Sequence, residues 1–164
     1  MGKRLKSDNN RGFYQGIYRI KNKHKYIGSK APMMRSGWEF KLASFFDSSA
    51  NVKAWDSEPE NIVIHYKTPD GKTHRYHPDF YVEMYDNDKI LKHFLVEIKP
   101  FAQSPWHCKP KEPLRKTTKA WNRYMEMCKT HITNQLKWEA AKAWCEEHNL
   151  TFLVLTEKEL GIKL

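Results

Sequence analysis

The sequence predicts an α/β domain, a mixed four-stranded sheet with helices on both of its faces. Two observations carry this. Apolar residues recur at helical spacing in one early segment and two late ones, while short segments between them alternate at strand spacing or run continuously apolar. The resulting order is one helix, three strands joined by short turns, helices, then a strand. It requires two hairpins and one crossover.

Residues 1–12 read as unstructured. From Phe13 to Lys30 aromatic residues interleave with bases, and two readings are open: an arm lying along a phosphate backbone, or an irregular segment packed on the domain. Residues 1–30 are therefore set apart as a basic N-terminal arm and 31–164 as the folded domain. The first helix begins at Ser36, where Ser36 and Glu39 form a capping-box pattern. Trp38, Leu42, Phe45 and Phe46 then fall on one face, and the helix ends near 47–49. Ile62, Ile64 and Tyr66 alternate as a strand, and Pro69-Asp70-Gly71 is a tight turn. A second strand runs from about Thr73 to Met84, with Pro78 marking an edge position or a bulge. After the turn at Asp86-Asn87-Asp88, the segment His93–Lys99 is apolar on both parities, as a central strand should be. Pro100 ends it and opens a loop over 100–113 with four prolines. Helices over about 114–131 and 134–148 follow, the second with Trp138, Ala141, Trp144 and Cys145 as its buried stripe. The last strand is Thr151–Leu155, and Thr156 with Glu159 caps a final short helix.

Composition narrows the function. The chain is long enough for a real core, and its 22 aromatic residues exclude a disordered tail. No apolar run reaches the roughly 20 residues a membrane helix needs, and the N-terminus does not read as a secretory signal. Three cysteines make no disulfide framework and suit a reducing compartment. The net charge of +10 is unevenly spread. Residues 1–30 hold nine Lys/Arg against one acid, and 99–137 hold nine against two, so the rest of the chain is net acidic. Two basic stretches around an acidic middle fit a cation site beside a nucleic acid. Arg19, Lys21, Lys23 and Lys25 in the arm, and Lys109 and Lys111 with Trp106 in the loop, are the candidate phosphate contacts.

The chemistry centres on Asp79, Glu97 and Lys99. Glu97 and Lys99 are two apart on the central strand and so share a face. Ions there are costly unless solvent, an ion pair or a metal compensates them. Asp79 lies on the preceding strand, about 4.8 Å away if the register allows, where it and Glu97 can share one hard cation such as Mg²⁺. Such an ion polarises a phosphate and acidifies a bound water, while Lys99 orients that water or stabilises the developing charge.

Pro78-Asp79 followed by Glu97-Ile98-Lys99 across one hairpin, behind a helix bearing Glu39, resembles the PD-(D/E)xK nuclease superfamily. So does the helix, three strands, helix, strand order, which implies a restriction-endonuclease-like fold (αβββαβ core). The set Arg35-Ser36-x-Trp38-Glu39, Trp55-x-Ser57-Glu58, Asn134-x-x-Lys137-Trp138-x-Ala140-Ala141 and Leu155-Thr156-Glu157, with Tyr26-x-Gly28 ahead of it, is similar to the head-completion nucleases of T4-like tailed phages. That similarity covers roughly residues 13–160, and comparable cores occur in TnsA-type transposon endonucleases. The resemblance implies a metal-dependent DNA endonuclease using Mg²⁺ or Mn²⁺, with Glu39 joining Asp79 and Glu97 as a metal ligand. It further implies processing of DNA ends during head completion in the cytoplasm of the infected host cell, little sequence preference, and capsid or portal proteins and the virion as associates.

Several residues have two readings. Glu39 already has a job in the capping box. Glu58 is an extra acid near the metal or a salt-bridge partner at a strand start. Lys137 contacts phosphate or is a surface lysine, and His77 faces the site or the strand surface. Cys128-x-x-His131 and Cys145-x-x-His148 mimic zinc spacing, but lie in helices among stripe residues, where buried thiols are common. The rival functions are a non-enzymatic DNA-binding head or neck protein, and a branched-DNA or restriction-type nuclease.

Overall fold

The computed structural model describes residues 15–105 and 109–161. In chain order its elements are β1 (Gly16–Ile17), β2 (Met33–Met34), α1 (Gly37–Ser48), β3 (Val52–Ser57), β4 (Ile64–Lys67), β5 (Thr73–Tyr76), β6 (Phe80–Tyr85), β7 (Leu91–Ile98), α2 (Thr118–Glu147) and β8 (Thr151–Leu155). The central sheet has the order β3-β6-β7-β8. Its first two pairings are antiparallel and the last, β7 with β8, is parallel. The mixed four-stranded α/β architecture expected from the sequence is therefore present. Among the described residues no helix is long and apolar enough to cross a membrane.

Its first strand is not the expected one. Residues 52–57, not expected as a strand, form the edge strand β3, with a register shift between Val52 and Ala54. The segment expected as the first strand, β4, pairs with β5 in a separate hairpin. The expected strand from Thr73 to Met84 is divided at His77-Pro78-Asp79, and its halves belong to different sheets. Proline cannot donate to a ladder, so the break falls there. It also divides the apolar residues of that segment: Tyr76 packs in one core cluster, Phe80 and Val82 in the other.

The two clusters lie on the two faces of the sheet. Leu42 and Phe46 of α1 meet Trp55, Phe80, Val82, Val96 and Ile98 on one face. On the other, Leu95 of β7 meets Ala141 and Cys145 of α2 and Ile64, Tyr66 and Tyr76 of the hairpin. β7 feeds both clusters because alternate residues point opposite ways.

Ser36 caps α1, its Oγ accepting from Glu39 N at 3.2 Å. Phe45 is 50 % exposed and drops out of the expected stripe, while Ala43 and Asp47 are buried. The two expected late helices are one helix of 30 residues, about 45 Å long. No glycine or proline interrupts it, and the β-branched Ile132 and Thr133 do not suffice to break it. Its four buried residues all lie from Asn134 onward, so its first half carries little core periodicity. Asn149, at φ 58, ends the helix in a left-handed residue, and Leu150 N reaches back to Cys145 O at 2.8 Å. After β8 the expected short helix is a turn: Thr156 and Glu159 make their capping bonds, but Gly161 at φ 63 stops it.

Of the two readings of the basic N-terminal stretch, the described part takes the packed one. Phe13, Tyr14 and residues 1–12 lie outside the described residues. Tyr18 is buried, β1 pairs with β2, and Tyr26 bridges to Trp55 alongside β3. That bridge covers the edge of β3 with backbone bonds, Trp55 N to Lys25 O at 2.8 Å and Ile27 N to Trp55 O at 3.0 Å. Gly28 fits here because a Cβ would collide with the Asp56 carboxylate and the Tyr26 ring.

Asp47 fastens this segment. Fully buried, it accepts from Tyr18 Oη at 3.0 Å, Lys21 N at 2.7 Å and Asn22 N at 2.9 Å. Burial alone would raise its pKa, but the two backbone N–H donors and the Tyr18 hydroxyl outweigh it and hold the carboxyl below its usual range. Because the folded-state pKa is depressed, this contribution is present at neutral pH and lost as pH falls through the folded value. Asp47→Ala orphans three donors and should cost roughly 3 kcal/mol in urea denaturation at pH 7, and progressively less as pH falls through the folded-state value.

Candidate active site

β6 and β7 run antiparallel with Phe80 opposite Val96 and Tyr81 opposite Leu95. Extended by one residue, that register sets Asp79 opposite Glu97. Asp79 sits where β6 begins, and its Oδ2 accepts from Ile98 N at 2.7 Å. Its Oδ1 accepts no hydrogen bond from the described residues. Glu97 is 2 % exposed and doubly bonded: Tyr76 Oη donates to Oε2 at 2.7 Å, and Lys99 Nζ pairs with Oε1 at 2.8 Å. Lys99 is itself anchored through its backbone N to Leu155 O at 2.9 Å. The next turn is tied down by buried Glu157, which accepts from Phe101 N at 2.9 Å.

The electrostatics are those of two crowded acids with one base. Burial, then repulsion from Glu97, pushes the Asp79 carboxyl well above the usual carboxylate range. Burial opposes the charge on Lys99, yet attraction to Glu97, followed by that to Asp79 and Glu39, wins and raises it above its ordinary value. Burial and the Glu97 charge keep Tyr76 protonated and able to donate.

Glu39 lies close enough to act on both Asp79 and Lys99 through its charge. Its oxygens are engaged elsewhere, Oε2 by Arg35 N at 2.7 Å and Oε1 by Ser36 Oγ at 2.8 Å. Among the described residues no group of three or more His, Cys, Asp or Glu side chains is drawn together as a metal site. Glu39, Asp79 and Glu97 are thus not grouped as one three-carboxylate site among the described residues, and both Glu39 oxygens are bonded at the helix cap. Glu58 takes the salt-bridge role, its carboxylate receiving Arg35 Nε at 2.7 Å and Nη2 at 3.2 Å. Its backbone N also bonds Asp79 O at 2.9 Å, from a strained left-handed φ of 48. His77 is exposed and lines a cavity of about 410 Å³ with Arg35 and Glu58.

Lys137 is not in the first turn of a helix but within α2, half-buried, its Nζ 5.8 Å from the ring centre of Tyr76 and 5.9 Å from that of Tyr66. It therefore reaches the site through Tyr76. Of the N-terminal bases, Lys21 and Lys25 lie elsewhere, and Lys30 pairs with Glu60 beside the cavity that Arg35 lines. Lys21 bonds Asp47 through its backbone N, at the far end of α1 from Glu39, about 12 Å along the axis. Lys25 spends its ammonium on Ser49 O, where α1 ends. Arg19, Lys21 and Lys23 stay exposed. Lys109 and Lys111 are exposed beside α2, and Trp106 lies outside the described residues. As for the zinc-like spacings, Cys145 is a core residue and His148 stacks on Trp144 with ring centres 3.8 Å apart. Sequence reasoning missed Tyr76 and Arg35. The first is placed by a hairpin whose sheet membership the pattern does not reveal, and the second stood in view only as part of the motif Arg35-Ser36-x-Trp38-Glu39, with no role of its own.

Asp79 and Glu97, side by side with Lys99 in salt-bridge contact, make a hard-oxygen pair whose mutual repulsion a small divalent cation would relieve. The model of TnsA-like endonuclease N-terminal domains matches residues 49–157. The chain belongs to the TnsA-like endonuclease family. The matched span contains Tyr76, Asp79, Glu97, Lys99 and Lys137, and leaves α1 with Glu39 outside. The chain is also similar to the head completion nuclease of Enterobacteria phage T4, at 32 % identity over 154 residues, 92 % of this chain and 97 % of that protein. Membership in the endonuclease family makes the chain a nuclease, in accord with the resemblance drawn from its motifs.

Two outcomes follow from the geometry. The raised folded-state pKa of Asp79 means that its ionisation weighs against folding at neutral and higher pH. In metal-free buffer at pH 8, Asp79→Asn should therefore melt several degrees above the parent protein, the gap closing as pH falls below about 4, where the parent carboxyl is protonated folded or unfolded. Tyr76→Phe keeps the ring packing but frees the Glu97 carboxylate. It should lower DNA cleavage about tenfold with little change in the DNA dissociation constant measured by fluorescence anisotropy.

Proposed function

We propose that this TnsA-like nuclease is a divalent-metal-dependent DNA endonuclease that processes DNA ends during phage head completion. One observation carries the chemistry: the register of β6 and β7 sets Asp79 beside Glu97 while Lys99 pairs with the same Glu97 carboxylate. The head-completion role rests on similarity to the T4 protein over nearly the full length of both chains.

Asp79 and Glu97 would hold Mg²⁺ or Mn²⁺, with Asp79 Oδ1 the carboxylate oxygen that no described residue engages. When bound, the cation neutralises a phosphate oxygen and acidifies a water. Tyr76 fixes Glu97 so that its carboxylate does not turn away. Lys99, cationic at neutral pH, keeps N–H groups beyond the one facing Glu97, and these orient the attacking water or offset charge building on the phosphate. Arg35, 62 % exposed at the rim, is placed to receive a neighbouring phosphate. Glu39 acts through its field, or joins through a water, from its cap. Exposed Lys109 and Lys111 add phosphate contacts that carry no base information, so sequence preference is weak. The cytoplasm of the infected host cell is the setting for this role, with capsid or portal proteins as partners.

Plasmid nicking tests the reading. The parent protein should nick supercoiled plasmid only with Mg²⁺ or Mn²⁺. Asp79→Ala and Lys99→Ala should each lower the rate by at least about a hundredfold while binding DNA within a few fold of the parent. Nicking at the parental rate by either variant, or undiminished nicking in a chelator, would contradict it.

A further inference from the structure

A second cavity, of about 630 Å³, lies between the proline-rich segment and the first half of α2. That is room for one nucleotide. Its rim carries Lys109, Lys111 and Arg123 against the single acid Glu126, and Met127 supplies an apolar wall. Asn134 and His131, on successive turns of α2, also line it. Asn134 is only 6 % exposed. Its Nδ2 and the Nε2 of His131 are buried without a hydrogen-bond partner among the described residues. An unmatched buried polar group costs on the order of 1–3 kcal/mol, and both atoms lie just behind the cavity wall, so a turn of either side chain toward a polar occupant would recover a hydrogen bond.

Two stretches of chain connect the cavity to the catalytic centre. Ala102, on its wall, follows Lys99 by three residues. Asn134 is one helical turn before Lys137, which lies over Tyr76, the residue that holds Glu97.

We propose that this cavity seats one unpaired nucleotide of the DNA beside the cleaved phosphodiester. Asn134 and His131 meet the base edge, Met127 its face, and Lys111 and Arg123 the adjoining phosphates. A base stacked in a duplex does not reach such a cavity. Extruding it costs a few kcal/mol, and least where it is already unpaired. Cutting is therefore fastest at frayed, flapped or bulged nucleotides. The inference rests on the nuclease reading and gives it a substrate class.

Duplexes with a single 2-aminopurine, moved one position at a time across the cleaved bond, test it in the Asp79→Ala background, where the DNA stays whole. Emission should rise several-fold on binding at one position only. Asn134→Leu, of similar volume, should abolish the rise while anisotropy still reports DNA binding. If that variant does not fold, Met127→Trp, which fills the cavity from an exposed helical position, should abolish it equally. No bright position despite saturated binding, or a rise that survives both substitutions, overturns the proposal. Free 2-aminopurine deoxyribonucleoside monophosphate is the second probe. Binding to it that is lost in Asn134→Leu, with no response from duplex DNA, would assign the cavity to free nucleotides and likewise overturn it. Failure of the nuclease reading shows separately, as a parent protein that nicks no DNA in Mg²⁺.

Discussion

Two carboxylates, Asp79 and Glu97, are held side by side at the end of a buried sheet, although each makes the other's charge harder to bear. The register of β6 against β7 enforces this, since apolar pairs such as Phe80 with Val96 bury only in that alignment. A one-residue slip would send each β7 side chain into the opposite core cluster, so core packing effectively fixes the distance between the acids. The remaining contacts make the crowding tolerable. Ile98 N–H satisfies one oxygen of Asp79, while the Tyr76 hydroxyl and the Lys99 ammonium satisfy both of Glu97. What is left over is excess negative charge and one unengaged oxygen. Such an acid pair, held at a cost to stability, fits the proposed cation site and the trade-off common at functional centres.

Each supporting element reaches the pair from a different direction. The hairpin of β4 and β5 is inserted between the first two strands of the sheet and brings Tyr76 over Glu97. α2 crosses behind it and sets Lys137 Nζ 5.8 Å from the Tyr76 ring centre, a cation beside the ring that makes no salt bridge to the acid. α1 offers its N-terminal end, with Arg35, Ser36 and Glu39, and uses its other end for an unrelated purpose: Asp47 and Ser49 hold the N-terminal segment. The basic N-terminal segment therefore supports the scaffold, with Lys21 at the far end of α1 and Lys30 paired with Glu60 beside the cavity that Arg35 lines. Positive charge near the acids comes from Lys99, Arg35 and Lys137.

Much of this was legible in the sequence because it was written in local patterns. The cap at Ser36, the continuous apolar run of β7, the turn at Asp86 and the Glu-x-Lys spacing each depend on residues a few positions apart. Sheet membership does not. Residues 52–57 carry Lys53 and Asp56 among apolar neighbours and give no clean alternation, yet burial under the N-terminal segment makes them a strand. Pro78 signalled a break, but nothing local says that β5 leaves one sheet and β6 enters another. The single α2 was misdivided because its first half buries nothing, so the helical period there has no core to mark it. Tyr76 escaped notice for the same reason as β5: its hydroxyl meets Glu97 from 21 residues away, across two sheets. Glu39 was found through its spacing, but spacing does not show that Ser36 and Arg35 already occupy its oxygens.

The central claim is that Asp79 and Glu97 together bind a divalent ion, and direct Mn²⁺ binding tests it without relying on DNA or turnover. Titration of the purified protein at pH 8, followed by loss of the free-Mn²⁺ electron paramagnetic resonance signal, should show a site with micromolar to low-millimolar affinity. Asp79→Asn, which keeps the Ile98 hydrogen bond but not the charge, should weaken that site by at least tenfold. Equal Mn²⁺ affinity in the parent and Asp79→Asn proteins would mean that the ion, if one is used, is held elsewhere, and the account given for this site would be wrong.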